Sequence, residues 1–205
     1  MGKEIKKFKY LKLHTFLSVL FVTLPIFHGL YAASSEREES ARLISAGEKA
    51  KPFTGKDVKG EFIDLTKYLG KNYIYLNFFT TWCGRCNWET KGINKIYSEY
   101  KGEDVVFFRI NLMEKEKLVA DFAKKYNIPF SVILDEGGKI SKFYGIKYVP
   151  VNIIIDKKGI VQFAGGLLSE GDLRRRLKEV INHDNIEREA RHNPVPSGAG
   201  QGEQY

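Results

Sequence analysis

The sequence predicts an α/β fold around a central mixed sheet, and three patterns carry the prediction. Tyr73-Ile74-Tyr75-Leu76-Asn77-Phe78-Phe79 and Val105-Val106-Phe107-Phe108-Arg109-Ile110-Asn111 are near-continuous apolar runs, as expected of strands covered on both faces. Between them, residues 87–100 place Trp88, Ile93, Ile96 and Tyr97 at helical spacing, and two strands joined through a helix lie parallel. The third pattern is Val151-Asn152-Ile153-Ile154-Ile155 and Ile160-Val161-Gln162-Phe163-Ala164 on either side of Asp156-Lys157-Lys158-Gly159. A turn that short leaves only antiparallel pairing.

The other elements fit around this sheet. Gly55 and Lys59-Gly60, between Val58 and Phe62, mark a short amino-terminal hairpin, and Leu65 to Leu69 reads as one helical turn stopped by Gly70. Leu118, Phe122 and Tyr126 recur every four residues and predict an amphipathic helix over 114–126, closed before Pro129. A short strand follows over 130–134, then the turn Gly137-Gly138 and a short helix carrying Ile140, Phe143 and Tyr144. The last helix, 169–182, has Ser169 as its cap, Leu173, Leu177, Val180 and Ile181 inward, and Arg174-Arg175-Arg176 solvated. Residues 183–205 are polar and aperiodic, the composition of a disordered tail.

A chain of 205 residues accommodates one well-buried domain, assigned here to 51–182, with flanking segments. Its net charge of +8 invites a nucleic-acid reading, but Lys3, Lys6, Lys7, Lys9 and Lys12 against Glu4 give +4 to the first 34 residues alone. The remaining charges alternate in sign without an aromatic-basic motif, so no nucleic-acid partner is expected. The basic start, the apolar run 16–27 and the small residues Ala32-Ala33-Ser34 follow the order of an export signal over 1–33. An uncleaved membrane anchor over 11–31 is the other reading of the same residues, and either leaves the rest of the chain outside the cytoplasm. Residues 34–50, small and charged, make a linker: a short helix over the domain or a tether.

The chemistry converges on Trp82-Cys83-Gly84-Arg85-Cys86. Cys83 and Cys86 are the only two cysteines. At the first turn of a helix, a thiol sits among unpaired backbone N–H groups where the dipole favours negative charge. Cys83 is therefore expected to ionise more readily than a free thiol of pKa about 8.5, and the thiolate is the reactive form. Cys86, about one turn deeper on the same side, can close a disulfide but is harder to reach. The spacing divides an attacking thiol from a resolving one. Two other readings compete. A structural zinc site needs four ligands, and none of the four histidines lies between the first strand and the last helix. A static disulfide would close a loop of only two residues, for little entropic gain.

With this motif after a buried strand and Tyr148-Val149-Pro150 before another, the chain resembles thioredoxin-fold proteins, most closely the TlpA/ResA/CcmG branch of exported thiol-disulfide oxidoreductases. The hairpin, Leu76-Asn77-Phe78-Phe79, the helix-strand block over 114–134, Tyr144-Gly145-Ile146 and Ile155-Asp156-Lys157-Lys158-Gly159 add to the likeness. It implies a three-layer thioredoxin-like fold with that block as a central insertion, and a cis peptide at Val149-Pro150 beside the dithiol. Trp82, Val149 and Pro150 become substrate-binding positions, the backbone of Val149 being free to pair with a substrate strand. The plainer reading of Pro150 is the start of a strand. Glu89 matches the branch's acidic residue, three positions past Cys86, where it would take or return the resolving thiol's proton. A lone helical Glu is more commonly just solvated. Asn77 stands where thioredoxins proper carry a buried acid. The chain departs from the branch at Gly84-Arg85, which lacks the usual proline, at Lys91, and at Tyr148 and Val151.

The expectation is thus a periplasmic or otherwise extracytoplasmic oxidoreductase with Cys83, Cys86 and Glu89 as catalytic residues. The resemblance implies a reducing role, such as preparing apocytochrome c thiols for haem attachment, with a protein thiol or disulfide as substrate and a membrane-bound electron donor. No cofactor or metal is called for, and a monomer is expected. The alternatives are a general dithiol oxidase or isomerase, and a copper-delivery protein of similar fold that would add a histidine to the two thiols.

Overall fold

The computed structural model describes residues 42–192, so the expected export segment and the last thirteen residues lie outside the described residues. Five strands form the central sheet. The middle strand β3 (Tyr73–Phe79) pairs in parallel with β4 (Val105–Leu112) and antiparallel with β6 (Val151–Ile155). On the outside, β5 (Ser131–Asp135) runs parallel to β4, and β7 (Val161–Gly165) runs antiparallel to β6. All seven residues of β3 are buried, which is why its sequence shows no polar-apolar alternation.

The two faces of the sheet carry separate apolar clusters. Ile74, Leu76 and Phe78 of β3 join Phe108, Ile110, Val151, Ile153 and Ile155 on one face. The short hairpin β1 (Thr54–Lys56) and β2 (Phe62–Asp64), a single 3-10 turn Leu65–Lys67, and helix α3 (Lys139–Phe143) with Tyr144 cover that face. Tyr73, Tyr75 and Phe79 point to the other, beneath α1 (Gly84–Tyr100), α2 (Glu116–Lys125) and α4 (Glu170–His192). Helices and hairpin on opposite sides of a mixed sheet make the predicted three-layer α/β arrangement, with α2 and β5 as the inserted block. No helix among the described residues is long and apolar enough to cross a membrane.

Four details differ from the sequence reading. Helix α1 opens at Gly84 rather than after Cys86, because Cys83 itself caps it. Helix α2 starts two residues later than expected and is rotated: Leu118 is exposed, while Val119 and Phe122 face the sheet. Met113 ahead of it has a left-handed φ of 53°, and the Glu114 carboxylate is held by Thr81 and Asn111, so neither enters the helix. The expected linker is part of the domain from residue 43 on. Ile44 is buried, its N–H donates to the Tyr144 carbonyl, and Gly47 and Glu48 exchange hydrogen bonds with Val161. Helix α4 continues to His192, well into the expected tail. The Asp184 carboxylate is buried and accepts a hydrogen bond from Tyr73 Oη at 2.8 Å, and Lys158 pairs with Glu187. Long-range partners order that segment where local composition does not.

Candidate active site

Residues 80–83 carry the chain from the end of β3 into α1. Glu114 fixes the approach: its carboxylate accepts from the Thr81 N–H at 2.7 Å and the Thr81 hydroxyl at 2.6 Å. Trp82 follows, 75% exposed. Cys83 then caps α1, its Sγ accepting the Cys86 N–H at 3.2 Å. One of the helix's unpaired donors is therefore satisfied by sulfur, in a position where an anion is favoured. Cys83 and Cys86 are joined as a disulfide, with their Cα atoms 5.2 Å apart. Cys83 retains 8% exposure and Cys86 has none. Arg85, between them, points to solvent.

Under the first turns of α1 the sheet carries a polar row. Side chains alternate along each strand, and the register sets Asn77 of β3 directly between Arg109 of β4 and Asn152 of β6. All three are fully buried. Arg109 Nε donates to Asn77 Oδ1 at 2.8 Å, and Asn77 Nδ2 donates to Asn152 Oδ1 at 2.8 Å. Tyr75 Oη donates to the same Asn152 oxygen at 2.5 Å.

Glu89 descends from the helix into this row. Its carboxylate accepts hydrogen bonds from Asn152 Nδ2 at 2.8 Å, Asn77 Nδ2 at 3.2 Å and the Leu168 N–H at 2.6 Å. Glu89 is therefore buried at 3% exposure and not a solvated helix side chain. Burial pushes its carboxyl above the usual carboxylate range, against the Leu168, Asn152 and Asn77 hydrogen bonds and the charge of Arg109, all of which favour the anion. Burial likewise brings Arg109 down to about 10, opposed by Tyr75 and Glu89.

Val149-Pro150 is a cis peptide, and Val149 packs against the apolar cluster that contains both cysteines. Gly166 lies beside the same loop, where an added Cβ would stand 3.9 Å from the Pro150 carbonyl oxygen. Cys83 and Cys86 thus sit at the first turn of α1 in the apolar cluster that Val149 packs against, with Trp82 exposed just ahead of Cys83 and Glu89 one turn on. Arg109, Asn152, Thr90 and Glu114 were not among the residues singled out from sequence. For Arg109 and Asn152 a signal existed: each is a polar residue inside an otherwise apolar strand, in phase with Asn77. Glu114 is joined to Thr81 across 33 positions, and nothing local announces it.

A family model for AhpC/TSA matches residues 46–164. The chain belongs to the AhpC/TSA family. Within it, the thiol-disulfide oxidoreductase ResA of Bacillus cereus is 33% identical over 152 residues, covering 74% of this chain and 86% of the relative. ResA of Halalkalibacterium halodurans is 36% identical over 129 residues, covering 62% of this chain and 73% of its own. Among solved structures, a DsbE-type thiol:disulfide interchange protein from Chlorobium tepidum superimposes with a TM-score of 0.60 at 26% identity, covering 69% of this chain and 97% of that one. A secreted Mycobacterium tuberculosis disulfide oxidoreductase homologous to DsbE gives 0.56 at 24% identity, over 62% and 95%, and supports the fold. This AhpC/TSA member is a thiol-disulfide oxidoreductase of the ResA and DsbE type, with a thioredoxin-like fold and a Cys83–Cys86 disulfide.

Proposed function

We propose that this oxidoreductase reduces a protein disulfide outside the cytoplasm, with the cysteine pair of an apocytochrome c before haem attachment as the model substrate. The observation that carries the reading is the asymmetry of the dithiol: Cys83 caps the helix with some solvent access, while Cys86 is sealed above Glu89 and the polar row. The reductive direction rests on the likeness to the TlpA/ResA/CcmG branch.

In the reduced enzyme the Cys83 thiolate attacks one sulfur of the substrate disulfide. A mixed disulfide forms, and the substrate's other sulfur leaves as a thiolate. Cys86 gives its proton to the Glu89 carboxylate and attacks Cys83 Sγ, closing the Cys83–Cys86 bond and releasing the second substrate sulfur, which takes up a proton. Two enzyme thiols are oxidised and one substrate disulfide becomes two thiols. A membrane-bound dithiol donor then restores the enzyme by the same exchange in reverse. Trp82, Val149 and Pro150 form the docking surface, the chain acts as a monomer, and residues 1–33 direct export, by cleavage or by anchoring.

Expression of Cys86→Ser in cells is expected to accumulate a mixed disulfide through Cys83, and the captured protein names the substrate. Failure of both Cys86→Ser and Cys83→Ser to trap any partner would remove the reading. The direction is tested by the reduction potential, since a value near −120 mV, about that of a strong oxidant, would favour a general oxidase or isomerase. A structure described as a protein disulfide isomerase from Bacteroides thetaiotaomicron, at 25% identity and TM-score 0.62, keeps that second reading in view.

A further inference from the structure

Arg109 is the largest fully buried side chain of the described residues. An ionised group taken out of water costs several kcal/mol unless its charge and donors are answered. Here the donors are answered by neutral groups: Nε goes to Asn77 Oδ1 at 2.8 Å, one terminal nitrogen to Thr90 Oγ1 at 2.9 Å, and the other to the Cys86 carbonyl at 3.5 Å. Thr90 Oγ1 in turn donates to the same Cys86 carbonyl at 2.8 Å. Phe79 and Phe122 flank the guanidinium at 4.0 and 5.8 Å from their ring centres, which keeps water away and fixes its plane. No carboxylate forms a direct ion pair with it among the described residues; the nearest answer to its charge is Glu89, one Asn77 side chain away.

We propose that Arg109 is a positioning residue for the exchange reaction, its buried charge holding the anionic state of the Glu89–Cys86 pair through Asn77 and the Cys86 main chain. The inference rests on the role proposed above for Glu89. A plain packing role would be served by an aliphatic side chain, which would need neither Thr90 nor Asn77 as acceptors. The register places Arg109 beside Asn77, the residue that also donates to Glu89, so the cation and the carboxylate grip the two ends of one amide. The titratable groups facing this chamber are Tyr75 from β3, Arg109 from β4, Tyr126 after α2, and Glu89 with the dithiol from α1. From β6 and the segment after β7 come Asn152 and the Leu168 N–H, neither of which titrates.

Removing a neighbouring cation makes proton loss harder. The test is the pH dependence of the Cys83–Cys86 reduction potential, measured against a dithiothreitol or glutathione couple in wild type, Glu89→Gln, Arg109→Met and Arg109→Lys, with thermal melting of each oxidised form alongside. Arg109→Met is expected to move the break in the potential-against-pH curve upward by about one unit or more, a tenfold fall in acid dissociation. Arg109→Lys, which keeps the charge but cannot fork to Asn77 and Thr90 at once, is expected to move it less. If Arg109→Met does not fold, Arg109→Gln, which removes the charge but keeps a polar side chain beside Asn77 and Thr90, takes its place with the same upward shift expected. An unmoved break in the Arg109 variants, with melting lowered, overturns the proposal and leaves Arg109 a packing residue. If Arg109→Met shifts the break while Glu89→Gln leaves it in place, the Glu89 assignment fails and the proposed pair with it. If Glu89→Gln shifts it and the Arg109 variants do not, the Glu89 reading stands and only this inference falls.

Discussion

At the residue scale, the proposed chemistry turns on a carboxyl sealed under a helix. Glu89 titrates above the ordinary carboxylate range because burial disfavours its charge, and in the proposed exchange it is ionised when it takes the Cys86 proton. Resolution of the mixed disulfide should therefore accelerate as pH rises through that elevated value. Glu89→Gln is expected to slow the step on the order of 10²-fold and to flatten its pH profile, as read by single-turnover fluorescence. The same shift fixes a stability sign. A carboxyl with a raised folded pKa contributes stability below its unfolded value near 4.3 and loses that contribution as pH climbs through the folded value. Urea titrations should show wild type losing stability relative to Glu89→Gln across that window, and a constant difference would mean that Glu89 does not titrate there. Glu89 was visible in the sequence by its distance from Cys86 and by its match to the acidic residue of the TlpA/ResA/CcmG branch. Its partners Asn152, Asn77 and the Leu168 N–H arrive from three separate segments, and local spacing carries no trace of that convergence.

At the element scale, the strands were legible because burial on both faces writes itself as continuous apolar composition, and the structure has β3 over the predicted residues. Boundaries set by side-chain caps and distant partners were not. Cys83 as the cap of α1, the late start of α2 and the extension of α4 all depend on contacts that sequence periodicity does not contain. That extension can be tested. Tyr73→Phe leaves the buried Asp184 carboxylate without the Tyr73 hydroxyl, at an expected cost of about 1–3 kcal/mol in urea unfolding. A loss within experimental error would mean that the last turns of α4 are not held by this contact. The amino-terminal hairpin offers a second case. A Cβ on Gly55 would stand 2.8 Å from Ile133 Cγ2 of β5. Gly55→Ala should destabilise by about 1–3 kcal/mol through overpacking, with the dithiol's exchange rate unchanged, because the hairpin lies on the face opposite α1.

At the scale of the whole molecule, the mixed sheet followed from a few patterns, since a strand-helix-strand unit and a tight hairpin leave few topologies open, while the three layers came only with the likeness to thioredoxin-fold proteins. Location is a proposal that fractionation tests. The full chain is expected outside the cytoplasm, while a version lacking residues 1–33 should stay within it, and equal distribution of the two would remove the export reading. One further consequence lies in the borders of the sheet. The Val58 N–H donates to the Val132 carbonyl on β5, and Gly47 and Glu48 pair with Val161 at the start of β7. Each flank is thus partly sheathed by the protein's own backbone, and unsheathed flanks are where foreign chains zip on indiscriminately. Under the proposed docking of a substrate strand at Val149, this works as a safeguard: polypeptide seeking a strand to lie against is kept from the margins and left the loop beside the dithiol.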